Sequence, residues 1–326
     1  MPFRDEITTS VAADPLARFM DLHAALEADR KWYQDSVPRR LAAVCLIPTA
    51  GEAGALVEQL RRVDAGLAAR IRWTEGVSAE VRLVIAAHLL KYGEAADAFL
   101  DEVARVRALF RAAALRNGGV HEYVAVLLLR RVLGRGAEAA DVARFGAIYE
   151  ALKKHHWWLT GPDDFPVCAM LAGREEEPEQ IGAGADALYR ALHERADLWR
   201  GTALHTSANV LYLARVPPLE LAERFVQLRE ALAGRGVRVG QAQYDEVAIL
   251  CFLAWPVEKI VATVLEFRDR MREAVAWLGK ADALGLAASL ALVRLAGQDG
   301  TLASLADAKL LLDMQEVIDA RASGTS

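Results

Sequence analysis

The chain has 326 residues, 54% of them hydrophobic and 25% charged, and a formal net charge of −5 at pH 7. That much apolar material excludes an intrinsically disordered chain, which could not offset the entropy of ordering. The acidic balance argues against nucleic acid as a partner, because such binders draw most of their affinity from neutralising phosphates. With 23 glycines and 10 prolines the chain is short of the turn residues a β-sandwich or barrel needs.

In chain order, seven strongly apolar segments recur. They are Leu41 to Ile47, Val84 to Leu90, Val124 to Leu129, Val167 to Ala172, Ala208 to Ala214, Val247 to Leu253 and Leu286 to Val293. Anchored on Ala43, Ala86, Ala125, Ala169, Ala208, Ala248 and Ala288, they are spaced 39–44 residues apart. Each gap holds a longer amphipathic segment. Leu221, Phe225, Leu228 and Leu232 form one stripe, and Ile260, Val264, Phe267, Met271, Val275 and Leu278 form the next. Steps of three and four are the period of a helix, not a strand. Turn chemistry separates the segments at Arg116 to Gly119, Leu159 to Pro162, Gly234 to Gly236 and Trp255-Pro256, and Pro217-Pro218 sits where a helix can start.

The predicted unit is an outer amphipathic helix followed by an inner, nearly all-apolar one. A helix apolar all round must be covered all round, which stacked copies can do and one pair cannot. The predicted fold is all-α: a HEAT/armadillo-like α/α superhelix (a solenoid) of about seven helix pairs with a period near 40 residues, forming one helical-repeat domain over 1–326. Either the superhelix curls tightly and buries its inner helices, or its concavity is an apolar groove. Residues 15–47 are either a true repeat or a cap, and Thr301 to Ala322 is expected to be a more charged last helix.

Cys45, Cys168 and Cys251 lie far apart in apolar stretches, without the spacing of a zinc site or a disulfide framework. Reduced, buried thiols fit a cytoplasmic protein. The N-terminus shows no apolar signal segment, and the longest apolar runs fall short of the roughly twenty residues that span a bilayer. No membrane, metal or cofactor is expected. The basic residues Arg105, Arg107, Arg111, Arg116, Arg130 and Arg131 are expected on a solvated face of two helices.

Phosphate-loop, dinucleotide-loop, zinc-protease and nucleophile-elbow patterns are all missing. One segment concentrates chemistry: Lys153, Lys154, His155, His156, Trp157 and Trp158, followed by Asp163 and Asp164. As a ligand site it would offer imidazoles, indoles and carboxylates at the mouth of the concavity. As structure, Trp157 and Trp158 would fill the gap between repeats, an aspartate would cap the next helix, and the histidines would favour the negative end of the preceding one. Adjacent histidines point in different directions and seldom share a metal. His121, Glu122, Asp164, His205, Tyr244 and Asp245 stand near the starts of inner helices, where they would form a polar ladder at the helix spacing of about 8–10 Å. Such a ladder suits an extended peptide.

Lys154-His155, Leu159-Thr160, Asp164-Phe165-Pro166 and Ala169 to Ala172 resemble a bacterial pattern, roughly K-x-H-x-[FW]-L-T followed by D-Y-P-x-A-x-L-L-A. The chain is similar there to the family catalogued as domain of unknown function four thousand and three. That resemblance implies a helical protein throughout and lends no activity. Phe165 stands where the pattern has tyrosine, so no phenolic role is carried over.

The functional expectation is a protein- or peptide-binding or scaffold module. The alternative is an enzyme on a closed α/α toroid, using loop carboxylates on a carbohydrate or isoprenoid-like substrate. A homo-oligomer paired through exposed inner-helix surface is a third expectation.

Overall fold

The computed structural model describes residues 14–28, 37–274 and 280–296, together with 312, 314, 317 and 318. Among these residues every regular element is a helix. In chain order they are α1 (Pro15–Glu27), α2 (Val37–Leu46), α3 (Ala53–Arg70), α4 (Ala79–Lys91), α5 (Ala96–Ala112), α6 (Val120–Leu133) and α7 (Ala139–His155). The series continues with α8 (Phe165–Leu171), α9 (Pro178–Ala196), α10 (Thr202–Tyr212), α11 (Pro218–Ala233), α12 (Tyr244–Cys251), α13 (Val257–Ala274) and α14 (Lys280–Ala296). The segment expected as a last charged helix, Thr301 to Ala322, lies almost wholly outside the described residues.

Local chemistry sets several boundaries. Asp14 accepts from the amides of Leu16 and Ala17 ahead of Pro15, and Ser78 accepts from Val81, so each satisfies an amide without a helical partner. Pro178 and Pro218 open α9 and α11, where a missing N–H costs nothing. Gly134 ends α6 at φ +64°, a conformation that side chains disfavour.

The odd-numbered helices pack on one another in sequence, α1 on α3 through to α11 on α13, and each also packs on the even-numbered helix that follows it. All seven predicted alanine anchors fall on even-numbered helices, and all are buried. The first two helices therefore pack as the other pairs do, α1 on both α2 and α3, and α2 on α4. The chain's first described helix also meets the last: α1 contacts α14, and the Arg270 guanidinium of α13 sits 2.5 Å from the Asp14 carboxylate.

The apolar-groove alternative is not what the inner helices form. Leu127, Leu128 and Leu129 of α6 and Val247 to Leu250 of α12 are buried, and no even-numbered helix leaves a large hydrophobic side chain exposed among the described residues.

One device that periodicity could not reveal closes the inner helices. Arg18 of α1 donates to the carbonyls of Thr49 and Gly51, just past α2. Arg144 of α7 donates to Ala172, Arg174 and Glu176 past α8, and Arg224 of α11 to Cys251, Leu253 and Trp255 past α12. The last carbonyls of a helix have no helical partner, and a guanidinium fork can serve several at once. These caps all fall at the ends of even-numbered helices.

Candidate functional site

The links that lead from an odd helix into an even one gather the chain's unusual side chains. Trp73 precedes α4, Trp157 and Trp158 precede α8, and Trp199 precedes α10; they are 92%, 70%, 64% and 75% exposed. Two bonds each tie one of these links to the start of the next even-numbered helix. Tyr123 at the start of α6 donates to Glu75, two residues beyond Trp73, at 2.7 Å. The Trp199 amide faces the hydroxyl of Tyr244, at the start of α12, at 3.4 Å. The Gly201 amide donates to Tyr189 of α9 at 3.3 Å.

Beneath the tryptophans is a buried polar cluster. Asp164 closes a short 3-10 turn, Pro162–Asp164, and its Oδ2 accepts from the Gly161 amide at 3.1 Å. Its Oδ1 lies 3.1 Å from His205 Nε2 and accepts from Asn209 Nδ2 at 3.2 Å. Asp164, His205 and Asn209 are all buried. Buried, and engaged through both oxygens by the turn and by His205 and Asn209, Asp164 ties the link before α8 to α10.

His156 packs against this group, its ring centroid 5.4 Å from His205 and 4.5 Å from Tyr189. Its Nε2 lies 3.2 Å from Asp186 Oδ1 on α9, and His155 Nδ1 lies 3.6 Å from the other oxygen, with Arg190 at 2.9 Å. The His156 contact is close but not aligned as a hydrogen bond, so both ring nitrogens are buried without one, as is Thr160 Oγ1. Burial, then the neighbouring His205, lowers the His156 pKa. Burial lowers that of His121 as well, against the opposing pull of Asp164. Burial raises the Tyr149 hydroxyl and pushes the Cys168 thiol far up, so neither is an activated group.

These shifts fix a pH dependence. The unfolded chain takes up protons around the ordinary histidine value of 6.5, before the folded chain does. The stability held in neutral His121 and His156 is therefore complete above that value and lost as pH falls from it through the lower folded-state values. The expected result is a Tm that drops between about pH 7 and pH 5, with a shallower slope in His156→Gln. A flat or rising Tm over that interval in the unaltered protein would contradict it.

Sequence reading brings the right residues into one region but misplaces several. Trp157 and Trp158 do not fill a gap between repeats; their rings stand outward, 5.8 Å apart and nearly perpendicular. The expected 8–10 Å ladder does not hold for Asp164 and His205, which touch directly because Asp164 sits in the link and not on the helix. Asp164 bonds to the turn's own amide, and no amide of α8 is capped by it. Asp163 folds back over Gly161, where a Cβ would find no room. Tyr244 is buried against Phe225, and Asp245 accepts from Ser207 of α10 at 2.9 Å, so both stitch neighbouring units. Asp186, Tyr189, Asn209 and Trp199 escaped notice because they lie far from the His-His-Trp-Trp segment in sequence; only the helix packing brings them there.

The basic stretch is a solvated face only in part: Arg105, Arg111 and Arg116 are exposed and Arg107, Arg130 and Arg131 half-buried, and five of the six have partners. Arg107 and Arg111 hold the buried Glu122, Arg105 pairs with Glu102, Arg130 with Glu94, and Arg131 lies over the Tyr92 ring. The three cysteines are buried and free, no cluster suited to a metal occurs among the described residues, and none of their helices is long and apolar enough to cross a membrane.

Residues 80–322 match the family described as protein of unknown function (DUF4003), and the chain belongs to it. No curated protein and no solved structure matches.

Proposed function

We propose that this DUF4003 member is a binding module: a single, curled HEAT/armadillo-like solenoid of seven helix pairs that recognises a protein or peptide along its outer-to-inner link edge. The observation that carries this reading is the placement of the exposed tryptophans. A folded chain rarely leaves large aromatic rings in water, and where it does they commonly mark a contact surface. Here Trp73, Trp157, Trp158 and Trp199 all stand on one kind of link, while the inner helices are covered. Trp is also among the residues that dominate binding energies at interfaces. Its three buried free cysteines fit a cytoplasmic setting.

The test is to pan a displayed peptide library on the intact chain and repeat with a Trp157→Ala/Trp158→Ala double variant. Enrichment of a sequence motif retained by the parent and lost by the variant is expected. If no motif emerges, or the variant retains it equally, the reading fails.

A second reading has its own support. The contact of α1 with α14 and the Arg270–Asp14 pair favour a closed ring over an open arc, and an α/α toroid can host an enzyme. A closed chain of this length should scatter with a radius of gyration near about 20 Å. The burial of Asp164 among protein partners weighs against it as a catalyst there.

A further inference from the structure

Independently of what the tryptophans bind, we infer that His156 is a pH-operated latch: its neutral ring packs against Trp158 from inside, and on gaining a proton it turns onto Asp186 and withdraws that support. His156 is the residue at which α7 ends. Its amide donates to the Leu152 carbonyl at 3.1 Å, and its own carbonyl accepts from the amides of Leu159 and Thr160, each at 2.9 Å. The turn that carries Trp157 and Trp158 is therefore folded back on this one residue. The same residue supplies the ring beneath that turn, so backbone and side chain are coupled.

Packing alone holds the neutral position. The His156 ring centroid is 4.5 Å from Tyr189 and 5.4 Å from His205, and Trp158 meets it nearly perpendicularly at 6.2 Å. His156 is 8% exposed and Trp158 64%, so the imidazole is what the indole rests on from the protein side. Neither ring nitrogen is fixed by a hydrogen bond from the protein. Rotation of an imidazole about its last bond has broad, shallow preferences, so only these ring contacts oppose a turn.

Asp186 supplies the second position. Its Oδ1 lies 3.2 Å from His156 Nε2, within reach but out of line for a hydrogen bond. Its other oxygen is held by Arg190 at 2.9 Å and faces His155 at 3.6 Å, which leaves Oδ1 for His156. A hydrogen bond from a charged donor to a carboxylate is about twice as strong as a neutral one, and it requires alignment. A protonated His156 therefore gains by turning Nε2–H toward Oδ1. That turn breaks the perpendicular contact with Trp158.

The groups around the ring set when the latch moves. From α9 it faces Asp186, Arg190 and Tyr189, from the end of α7 His155, and from α10 His205, which itself lies 3.1 Å from Asp164. Burial opposes the proton first, then His205 and, less strongly, His155, while Asp186 favours it. Opposition wins, so the ring is neutral at neutral pH and is protonated only below the ordinary value of 6.5. One side chain with a packed and a paired position is a two-state element that a proton can bias.

The experiment is fluorine NMR of the intact chain carrying fluorotryptophan, titrated from about pH 7.5 to about pH 5. Trp158→Phe and Trp73→Phe assign the two signals that matter. The Trp158 signal should move in one step with its midpoint below 6.5, while that of Trp73, on the link before α4, stays in place. His156→Gln should remove most of the Trp158 response. Asp186→Asn should move the step to lower pH and shrink it, because the charged ring loses its partner. Circular dichroism verifies folding, and if His156→Gln does not fold, Asp186→Asn decides alone. A flat Trp158 signal, a step retained in His156→Gln, or one unmoved by Asp186→Asn overturns the inference. So does a Trp73 signal that changes together with Trp158 and the circular dichroism, since that is global unfolding.

Discussion

Glu122→Ala should lower the unfolding free energy by about 3 kcal/mol and Tm by about 4–5 °C, because the residue serves the fold from a fully buried position. Glu122 is 0% exposed, at the start of α6. Its Oε2 accepts from Arg107 Nε at 2.7 Å, and its Oε1 accepts from Arg111 and, at 2.9 Å, from the Gly118 amide. A buried carboxylate is tolerated only when its lone pairs are filled this way. Removing it leaves the Gly118 amide without its acceptor and separates α5 from the α5–α6 link. The cost should sit at the low end for a broken buried pair. Arg111 is partly exposed and can turn to water, and Arg107 keeps Glu75 at 3.0 Å. Glu122→Gln should fall between the two proteins, since an amide oxygen can still accept from Gly118. Urea unfolding of all three would decide it, and a loss under about 1 kcal/mol for Glu122→Ala would place the network with ordinary surface pairs.

Phe165→Ala should cost about 3–5 kcal/mol, the range for emptying a buried aromatic site. The Phe165 ring meets Phe145 edge-on at 5.3 Å, Tyr149 at 5.4 Å and Phe110 at 6.0 Å, so one side chain joins α5, α7 and α8. It also lies against Gly118, where a Cβ would come within 2.8 Å of the ring. The void cannot close easily, because its walls belong to three helices fixed elsewhere. Phe165→Leu should recover roughly half of the loss by refilling volume without the edge-to-face contacts. Asp164 is its immediate neighbour, so the alanine variant should also loosen the link that carries Trp157 and Trp158. An alanine variant as stable as the parent would show that this aromatic cluster does not hold the fourth pair together.

Much of the architecture was legible before any coordinates. The inner helices announced themselves because side chains covered on all sides must be apolar on all sides, and that shows as uninterrupted greasy segments around Ala125 or Ala248. Outer helices showed as stripes such as Leu221, Phe225, Leu228 and Leu232, since a half-buried helix repeats its core contacts every three to four residues. The resemblance carried by Asp164-Phe165-Pro166 led to the family shown by residues 80–322.

What the sequence by itself determined, then, was helix, period and which face of each helix is apolar, because those follow from contacts between near neighbours in the chain. Tertiary structure alone decided that Asp164 meets His205, that Arg107 and Arg111 are spent on Glu122, and that Arg270 reaches Asp14 from the far end of the chain. It also turned Trp157 and Trp158 outward. Each of these depends on how separate helices lie against one another, and a one-dimensional pattern of polarity holds no information about the partner a side chain finds across that distance.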